Sequence, residues 1–110
     1  MTNNKTLIFK QVNNWNELII DNSYKIAQPK KECLTLKLKD IDICFVPFLV
    51  YDFKGYRLGY GEGYYDRTLA NFKNYIIGVG YSYQKVNKLL INKYDIAMHQ
   101  LFTEKEIINF

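Results

Sequence analysis

Residues 54–67 constrain the fold more than any other part of this sequence. They read Lys-Gly-Tyr-Arg-Leu-Gly-Tyr-Gly-Glu-Gly-Tyr-Tyr-Asp-Arg and hold four of the chain's six glycines and both of its arginines. Alternate glycines give a backbone that tolerates positive φ and lets a ligand approach closely. The residues after them favour the first turn of a helix, whose unpaired N–H groups attract anions. Because arginine forks suit phosphate groups, the stretch predicts a phosphate site, most simply for a nucleotide.

Strand patterns flank this stretch on both sides. Residues 41–46 and 75–81 are mostly apolar, and we predict that both form strands of a parallel sheet, the first buried on both faces. Between them, Tyr65, Leu69 and Phe72 share the face of a short helix. Strand, loop, helix and strand make a βαβ unit, so we expect parallel strands and a right-handed crossover.

Shorter patterns predict the remaining elements. They are a strand at 7–12, a short helix at 15–20 capped by Asn14, an extended loop at 24–31, a short helix around Val86, Leu89 and Leu90, a loop or strand at 94–99, an edge strand at 101–102, and a last helical turn opened by a Thr103–Glu106 capping box.

Composition places the chain among soluble globular proteins. Apolar residues make up 48% of the 110 residues, enough for the core of one domain. No apolar run approaches the ~20 residues that span a bilayer, and residues 1–5 do not resemble a signal peptide, so we predict a cytoplasmic protein without membrane partners. Cys33 and Cys44 lack metal-type spacing and are predicted to be reduced structural thiols. The net charge of +4 permits nucleic-acid binding without requiring it, and we do not favour it.

The glycine-rich stretch matches neither common phosphate fingerprint. A Walker A loop ends in Gly-Lys-Ser/Thr, whereas Gly63 is followed by two tyrosines. A dinucleotide-binding loop has G-x-G-x-x-G spacing directly after a strand, whereas here the spacing is G-x-G-x-G. A Gly/Tyr-rich surface hairpin without a ligand remains the alternative interpretation, although it leaves the paired arginines unexplained.

Three aspartates are candidate functional groups. Asp66 would lie in the first helical turn, where it either balances the helix dipole or binds Mg²⁺ beside phosphates. Asp95 follows the second strand and could meet Asp66 at one edge of the sheet. Asp52 is explained equally well by turn chemistry. The single histidine, His99, is more simply structural or exposed than catalytic, and no nucleophile motif is present.

These residues resemble the signature of the 5-formyltetrahydrofolate cyclo-ligase (5,10-methenyltetrahydrofolate synthetase) family. The resemblance rests on Val46-Pro47, Asp52, Lys54-Gly55 and the run from Arg57 to Arg67, and it extends to Tyr24–Pro29, Gln84, Asp95 and Thr103-Glu104. It covers essentially the whole chain from about Leu7 onward.

The resemblance implies a Rossmann-like three-layer α/β/α sandwich with a mainly parallel sheet, here reduced to its C-terminal part as a single domain over residues 1–110. It implies ATP- and Mg²⁺-dependent conversion of 5-formyltetrahydrofolate to 5,10-methenyltetrahydrofolate. It assigns a catalytic role to Arg57 and metal binding to Asp66 and Asp95. The ATP site would be Arg57, Leu58, Gly59, Tyr60, Gly61, Glu62, Gly63, Tyr64 and Tyr65, and the folate site Tyr24, Gly61, Gly63, Tyr64 and Tyr65.

The chain is about half as long as members of this family, and it resembles their C-terminal half. Three origins therefore stay open: a degraded remnant, one of two polypeptides that assemble with a separate N-terminal half, or an autonomous nucleotide-binding module. The alternative to the ligase is an inactive remnant or a module that binds ATP without turnover. An incomplete sheet would also expose an apolar face and an unpaired edge, which favours association.

Overall fold

A four-stranded mixed sheet forms the centre of the computed structural model, which describes residues 6–20, 26–59 and 63–110. Its strands lie in the order β3 (Ile43–Val46), β6 (Tyr75–Val79), β7 (Gln100–Phe102) and β8 (Ile107–Asn109). β3 pairs with β6 and β6 with β7 in parallel, whereas β7 and β8 form an antiparallel hairpin. The predicted α/β class and the parallel pairing of the two flanking strands are confirmed.

Smaller elements surround this sheet. β1 (Leu18–Ile20) pairs antiparallel with β2 (Ala27–Pro29), and β4 (Val50–Tyr51) pairs antiparallel with β5 (Arg57–Leu58). Within the described residues there is one α-helix, α1 (Tyr64–Thr68), so a second layer of helices is not part of what the structure describes. No helix in this part of the chain has the length and apolarity needed to cross a membrane.

The core lies on one face of the central sheet. Cys44 and Val46 of β3, Ile76 of β6 and Leu101 of β7 point to this face and are at most 5% exposed. They pack with a second set of buried side chains from the connecting segments, which are Phe48, Tyr51, Leu69 and Met98. The helix face predicted from Tyr65, Leu69 and Phe72 also packs here.

The opposite face of the sheet is open, which corrects one prediction. The strand at 41–46 was expected to be buried on both faces, but β3 alternates, with Ile43 45% and Phe45 56% exposed. Apolar residues at every position are typical of a strand covered on both sides. In this structure, only one side is covered by described residues.

Two N-terminal predictions are wrong. Residues 7–12 form no strand and make one antiparallel bridge, between Lys10 and Thr35. The predicted helix at 15–20 is a single 3-10 turn, Trp15–Glu17, followed by β1, and the Asn14 side chain makes no capping hydrogen bond. The β-branched pair Ile19-Ile20 favours the extended conformation that pairing with β2 stabilises.

The segment around Val86 and Leu89 is a loop rather than the predicted helix. The Val86 N–H donates to the Tyr51 carbonyl at 2.8 Å, and the Leu89 N–H donates to Oδ2 of Asp52 at 3.1 Å. These partners lie far away in sequence and take the donors that a helix would use, so tertiary contacts override the local pattern.

The C-terminal predictions also change. The strand at 101–102 was expected at an edge, but β7 lies inside the sheet because β8 pairs with it. Thr103 Oγ1 does accept hydrogen bonds from the N–H groups of Lys105 and Glu106, at 3.2 and 3.1 Å. These bonds close a hairpin turn rather than open a helix, since the following residues, Ile107–Asn109, return as a strand.

Candidate functional site

The β4–β5 hairpin carries the chain from the end of β3 to the glycine-rich stretch. Asp52, 1% exposed, organises its turn. Its Oδ1 accepts hydrogen bonds from the N–H groups of Lys54 and Tyr56, both at 3.0 Å, while its Oδ2 accepts the Leu89 N–H. Gly55 has φ +89°, a conformation that favours glycine. The turn interpretation of Asp52 is therefore confirmed.

Arg57 lies on β5 of this hairpin, and its side chain is buried, with 6% exposed. Its Nη1 donates to the Pro47 carbonyl at 3.2 Å, and its guanidinium carbon lies 5.1 Å from the Tyr65 ring centroid. Its Nη2 is 3.7 Å from Oδ1 of Asp66, an ion pair longer than a hydrogen bond. We call Arg57, Tyr65 and Asp66 the Arg57 cluster. It joins the hairpin to helix α1.

Helix α1 begins at Tyr64, and the residue before it, Gly63, has φ +68°. A side chain at this position would be strained, and its Cβ would lie 2.9 Å from Nη1 of Arg67. The Gly63 carbonyl accepts the Arg67 N–H at 3.0 Å. Because α1 has only five residues, the opposite ends of its dipole lie within about one turn of each other and partly cancel. The predicted attraction of a helix N-terminus for an anion is therefore weak here.

Asp66 contacts the segment that carries Asp95 through the backbone, and the described contacts do not join the two carboxylates directly. Oδ1 of Asp66 accepts the N–H of Ile96, the residue after Asp95, at 3.2 Å. Oδ2 of Asp95 accepts the Asn92 N–H at 2.9 Å, which folds its own loop. The Asp66 side chain is 23% exposed, and in the described part of the chain its Oδ2 accepts no hydrogen bond. Oδ1 of Asp66 thus fixes a loop, and the side chain is still partly exposed.

These carboxylates fit Mg²⁺ only when other ligands are shared. No group of three or more His, Cys, Asp or Glu side chains with the arrangement of a metal site occurs among the described residues. Mg²⁺ typically takes one or two carboxylates and completes its shell with water and substrate phosphates. Asp66 suits that arrangement, whereas a metal cage made of protein groups alone is not formed.

The other predicted site residues are distributed unevenly. Leu58 is half exposed on β5, Gly59 lies against the Arg57 side chain, and Tyr64 lies beside the Arg67 guanidinium at 5.7 Å. Burial raises the pKa of Tyr65, and so does Cys44, while Arg57 lowers it in part. Four further predicted residues lie outside the described part: Tyr24, Tyr60, Gly61 and Glu62.

Several residues around the site are structural. His99 Nδ1 accepts the Ile76 N–H at 3.0 Å, and the His99 N–H donates to the Ile76 carbonyl, so the histidine ties a loop to β6. Gln84 Nε2 donates to the carbonyls of Phe48 and Leu49, holding the segment after β3. Burial raises the pKa of the Cys44 thiol, opposed in part by Arg57, which favours the protonated, less reactive form.

Thr68 is a contact that sequence reasoning missed. Its Oγ1 accepts the Leu7 N–H at 2.7 Å and donates to the Tyr64 carbonyl at 2.6 Å, which attaches the N-terminal segment to α1. The resulting cleft of about 310 Å³ is lined by Leu7, Phe9, Leu36, Arg67 and Thr68, among others. No local pattern marks Thr68, because its partner lies 61 residues away.

Comparison with known proteins identifies this arrangement. The family model for 5-formyltetrahydrofolate cyclo-ligases matches residues 2–104. The chain is 33% identical to the 5-formyltetrahydrofolate cyclo-ligase of Escherichia coli K12 over 105 residues, 92% of this chain and 57% of that protein. It is 38% identical to the Haemophilus influenzae protein of the same name over 84 residues, 73% of this chain and 45% of that one.

A solved structure shares the fold. The 5,10-methenyltetrahydrofolate synthetase of Aquifex aeolicus superposes with a TM-score of 0.82 at 32% identity, covering 99% of this chain and 55% of that one. The chain thus spans about half the length of these relatives. The match over residues 2–104 includes the whole hairpin, the Arg57 cluster and Asp95, and the chain belongs to the 5-formyltetrahydrofolate cyclo-ligase family.

Proposed function

We propose that this chain takes part in the ATP- and Mg²⁺-dependent conversion of 5-formyltetrahydrofolate to 5,10-methenyltetrahydrofolate. The observation that carries the proposal is family membership across a segment that contains the glycine-rich hairpin, which we define as the β4–β5 hairpin with the glycine-rich stretch 54–67, and the Arg57 cluster. The matched relatives from two bacteria are both named 5-formyltetrahydrofolate cyclo-ligase.

The proposed chemistry agrees with the side chains present. The formyl oxygen of the folate attacks the γ-phosphate of ATP, ADP leaves, N10 closes on the activated carbon, and phosphate departs. Such a reaction requires positioning and neutralisation of charge rather than a protein nucleophile. The described residues fit this requirement, since Cys44 is buried and His99 is engaged with the backbone of β6.

The Arg57 cluster would position the phosphate site. The side chain of Arg57 is buried, so its guanidinium is largely shielded from water. A positive charge acts more strongly on phosphates there than it does in water. The contacts of Arg57 with Pro47, Tyr65 and Asp66 fix its place, so we assign it neutralisation of phosphate charge. Asp66, with Asp95 near it, would hold Mg²⁺, which neutralises phosphate charge when bound. The folate would contact residues 61–65 and Tyr24.

The test is a product assay. The chain is mixed with ATP, Mg²⁺ and 5-formyltetrahydrofolate, alone and together with the part of the E. coli relative that it does not match. We expect ATP-dependent formation of methenyltetrahydrofolate, followed by its ultraviolet absorbance, and its loss in Asp66→Asn. Absence of product in both mixtures would contradict the proposed activity.

The second candidate is a nucleotide-binding module without turnover. It is favoured by one observation, that the chain spans only 57% of the E. coli relative. ATP binding measured by calorimetry, abolished by Arg57→Ala and by Gly61→Val and accompanied by no product, would support it. Absence of nucleotide binding would exclude this candidate as well.

A further inference from the structure

We propose that the open face of the central sheet and the free edge of β3 are one docking surface. Its occupant is a polypeptide equivalent to the length that the relatives have beyond their match to this chain. We define the open face by the residues that point away from the core, which are Ile43, Phe45, Tyr75, Ile77, Val79, Gln100, Phe102, Ile107 and Asn109. The proposal concerns assembly and does not rest on the reaction proposed above.

The open face spans four strands and is mostly apolar. Its two polar side chains, Gln100 and Asn109, lie at the β7–β8 end of the sheet and are hydrogen-bonded to each other at 2.6 Å. Register places Ile43 beside Tyr75, Phe45 beside Ile77, Val79 beside Phe102 and Phe102 beside Ile107, so these side chains are neighbours. Phe45 is 56%, Val79 53% and Ile107 61% exposed. Ile77 also points to this face and lies outside the core cluster, although it is only 5% exposed. On the same side of the sheet, the rings of Phe45 and Phe102 meet edge to face with centroids 6.3 Å apart. Sheets with parallel strands are normally covered on both faces.

The edge of β3 is free as well. β3 pairs with β6 on one side, and the described residues supply no backbone hydrogen bond to its other side. An unpaired edge next to an apolar face invites addition of a strand.

Topology indicates what kind of polypeptide fits both features. From β3 the chain moves to β6 and then to β7, and both connections pack on the core face, the first through Leu69 and the second through Met98. Crossovers between parallel strands are right-handed, so connections that progress in one direction lie on one face. Strands that followed one another outward from β3 would progress in the opposite direction, and their connections would then lie on the open face.

The relatives supply the length for such a segment. The A. aeolicus protein superposes on 99% of this chain, and a little under half of its own chain lies outside the match. A second copy of this chain would cover the open face without accounting for that length. A strand added beside β3 would also create a switch in strand order at the end of β3, where crevices in α/β sheets bind ligands. The glycine-rich hairpin begins there, so docking would complete the crevice.

The test measures complex formation without nucleotide or folate. The probe is the part of the E. coli relative that this chain does not match, produced as a separate polypeptide. Light scattering after size-exclusion chromatography should show a one-to-one complex, and hydrogen exchange at β3 amides should slow in it. Phe45→Lys and Val79→Lys should weaken binding at least tenfold. The matched control is Leu90→Lys, because Leu90 is fully exposed in a loop outside the sheet.

The same variants separate docking from folding. Since Phe45 and Val79 are more than half exposed, both lysine variants should keep the melting temperature of the free chain. No complex with the probe, a complex that Phe45→Lys leaves intact, or association of this chain only with itself would each overturn the proposal. A complex that forms but makes no methenyltetrahydrofolate would support the docking surface and count against the reaction.

Discussion

Replacing Asp52 should destabilise the chain more than any other single carboxylate change in the hairpin region. Asp52 is 1% exposed and accepts three backbone hydrogen bonds, two on Oδ1 and one on Oδ2. Hydrogen bonds to charged groups contribute roughly 1.5–3 kcal/mol each. Water can reach some of the donors, since Lys54 is exposed, so Asp52→Ala should cost about 4 kcal/mol. The free energy of unfolding of small domains is roughly 5–15 kcal/mol, so this is a large loss of stability.

A graded pair of variants makes the test sharper. Asp52→Asn retains an oxygen for Lys54 and Tyr56 but turns an amide donor toward the Leu89 N–H, so it should cost about 2 kcal/mol. Asp42→Ala serves as the control because the Asp42 side chain is exposed. Urea unfolding followed by far-ultraviolet circular dichroism is suitable, whereas Trp15, 87% exposed, would respond weakly in fluorescence. A cost for Asp52→Ala below about 1 kcal/mol, or equal costs for the two Asp52 variants, would refute the reasoning.

Three further outcomes are expected. Gly63→Val should lower the free energy of unfolding by roughly 1–2 kcal/mol, because φ +68° is unfavourable for a branched residue and the new side chain meets Arg67. Calorimetry should also find Mg·ATP binding abolished. Unchanged binding would argue against a role for Gly63 in the phosphate site. Asp66→Asn should weaken the Mg²⁺ dependence of ATP binding while leaving the fold intact by circular dichroism, and equal Mg²⁺ titrations would contradict its assignment. Hydrogen bonds from Ser82 hold the pKa of Glu104 below its ordinary value of 4.5, so the stability it adds is present above about pH 4.5 and is lost as the pH falls through the lowered pKa. Melting temperatures of Glu104→Gln should therefore fall less in acid than those of the wild type, and parallel curves would disprove the linkage.

The sequence predicts those parts of the fold that are set by local patterns. β3 and β6 are apolar runs bounded by Pro47 and by glycine, and both form where expected. Tyr65, Leu69 and Phe72 pack on the core as predicted, but α1 ends at Thr68, so Leu69 and Phe72 lie beyond the helix that their spacing predicted. The turn role of Asp52 follows from its residue type and its place three residues before Gly55.

The missed features depend on distant partners. Val86 and Leu89 have helical spacing, but their N–H groups bond to Tyr51 and Asp52 instead. The Thr103 hydroxyl accepts the Glu106 N–H, but the predicted helical turn does not form, because β8 pairs with β7 and the bond closes a hairpin instead. Local propensity is a weak guide where a sheet supplies competing partners.

The candidate site was only partly predictable for the same reason. The paired arginines and Asp66 were visible in the motif, and the approach of Asp66 to the residue after Asp95 followed from the sheet topology. The burial of Arg57 against Tyr65 and Pro47 could not be predicted, because it depends on how the hairpin folds back on α1.

The most direct test of the proposed site is titration of Mg·ATP into the ¹⁵N-labelled chain, followed by amide chemical shifts. We predict saturable shifts that are largest at Gly59, at residues 63–67 and at Ile96, whose N–H bonds to Asp66, and that shrink when Mg²⁺ is withheld. No saturable shift, or shifts centred on the separate cleft lined by residues 12–15, would contradict the assignment of the glycine-rich hairpin as the phosphate site.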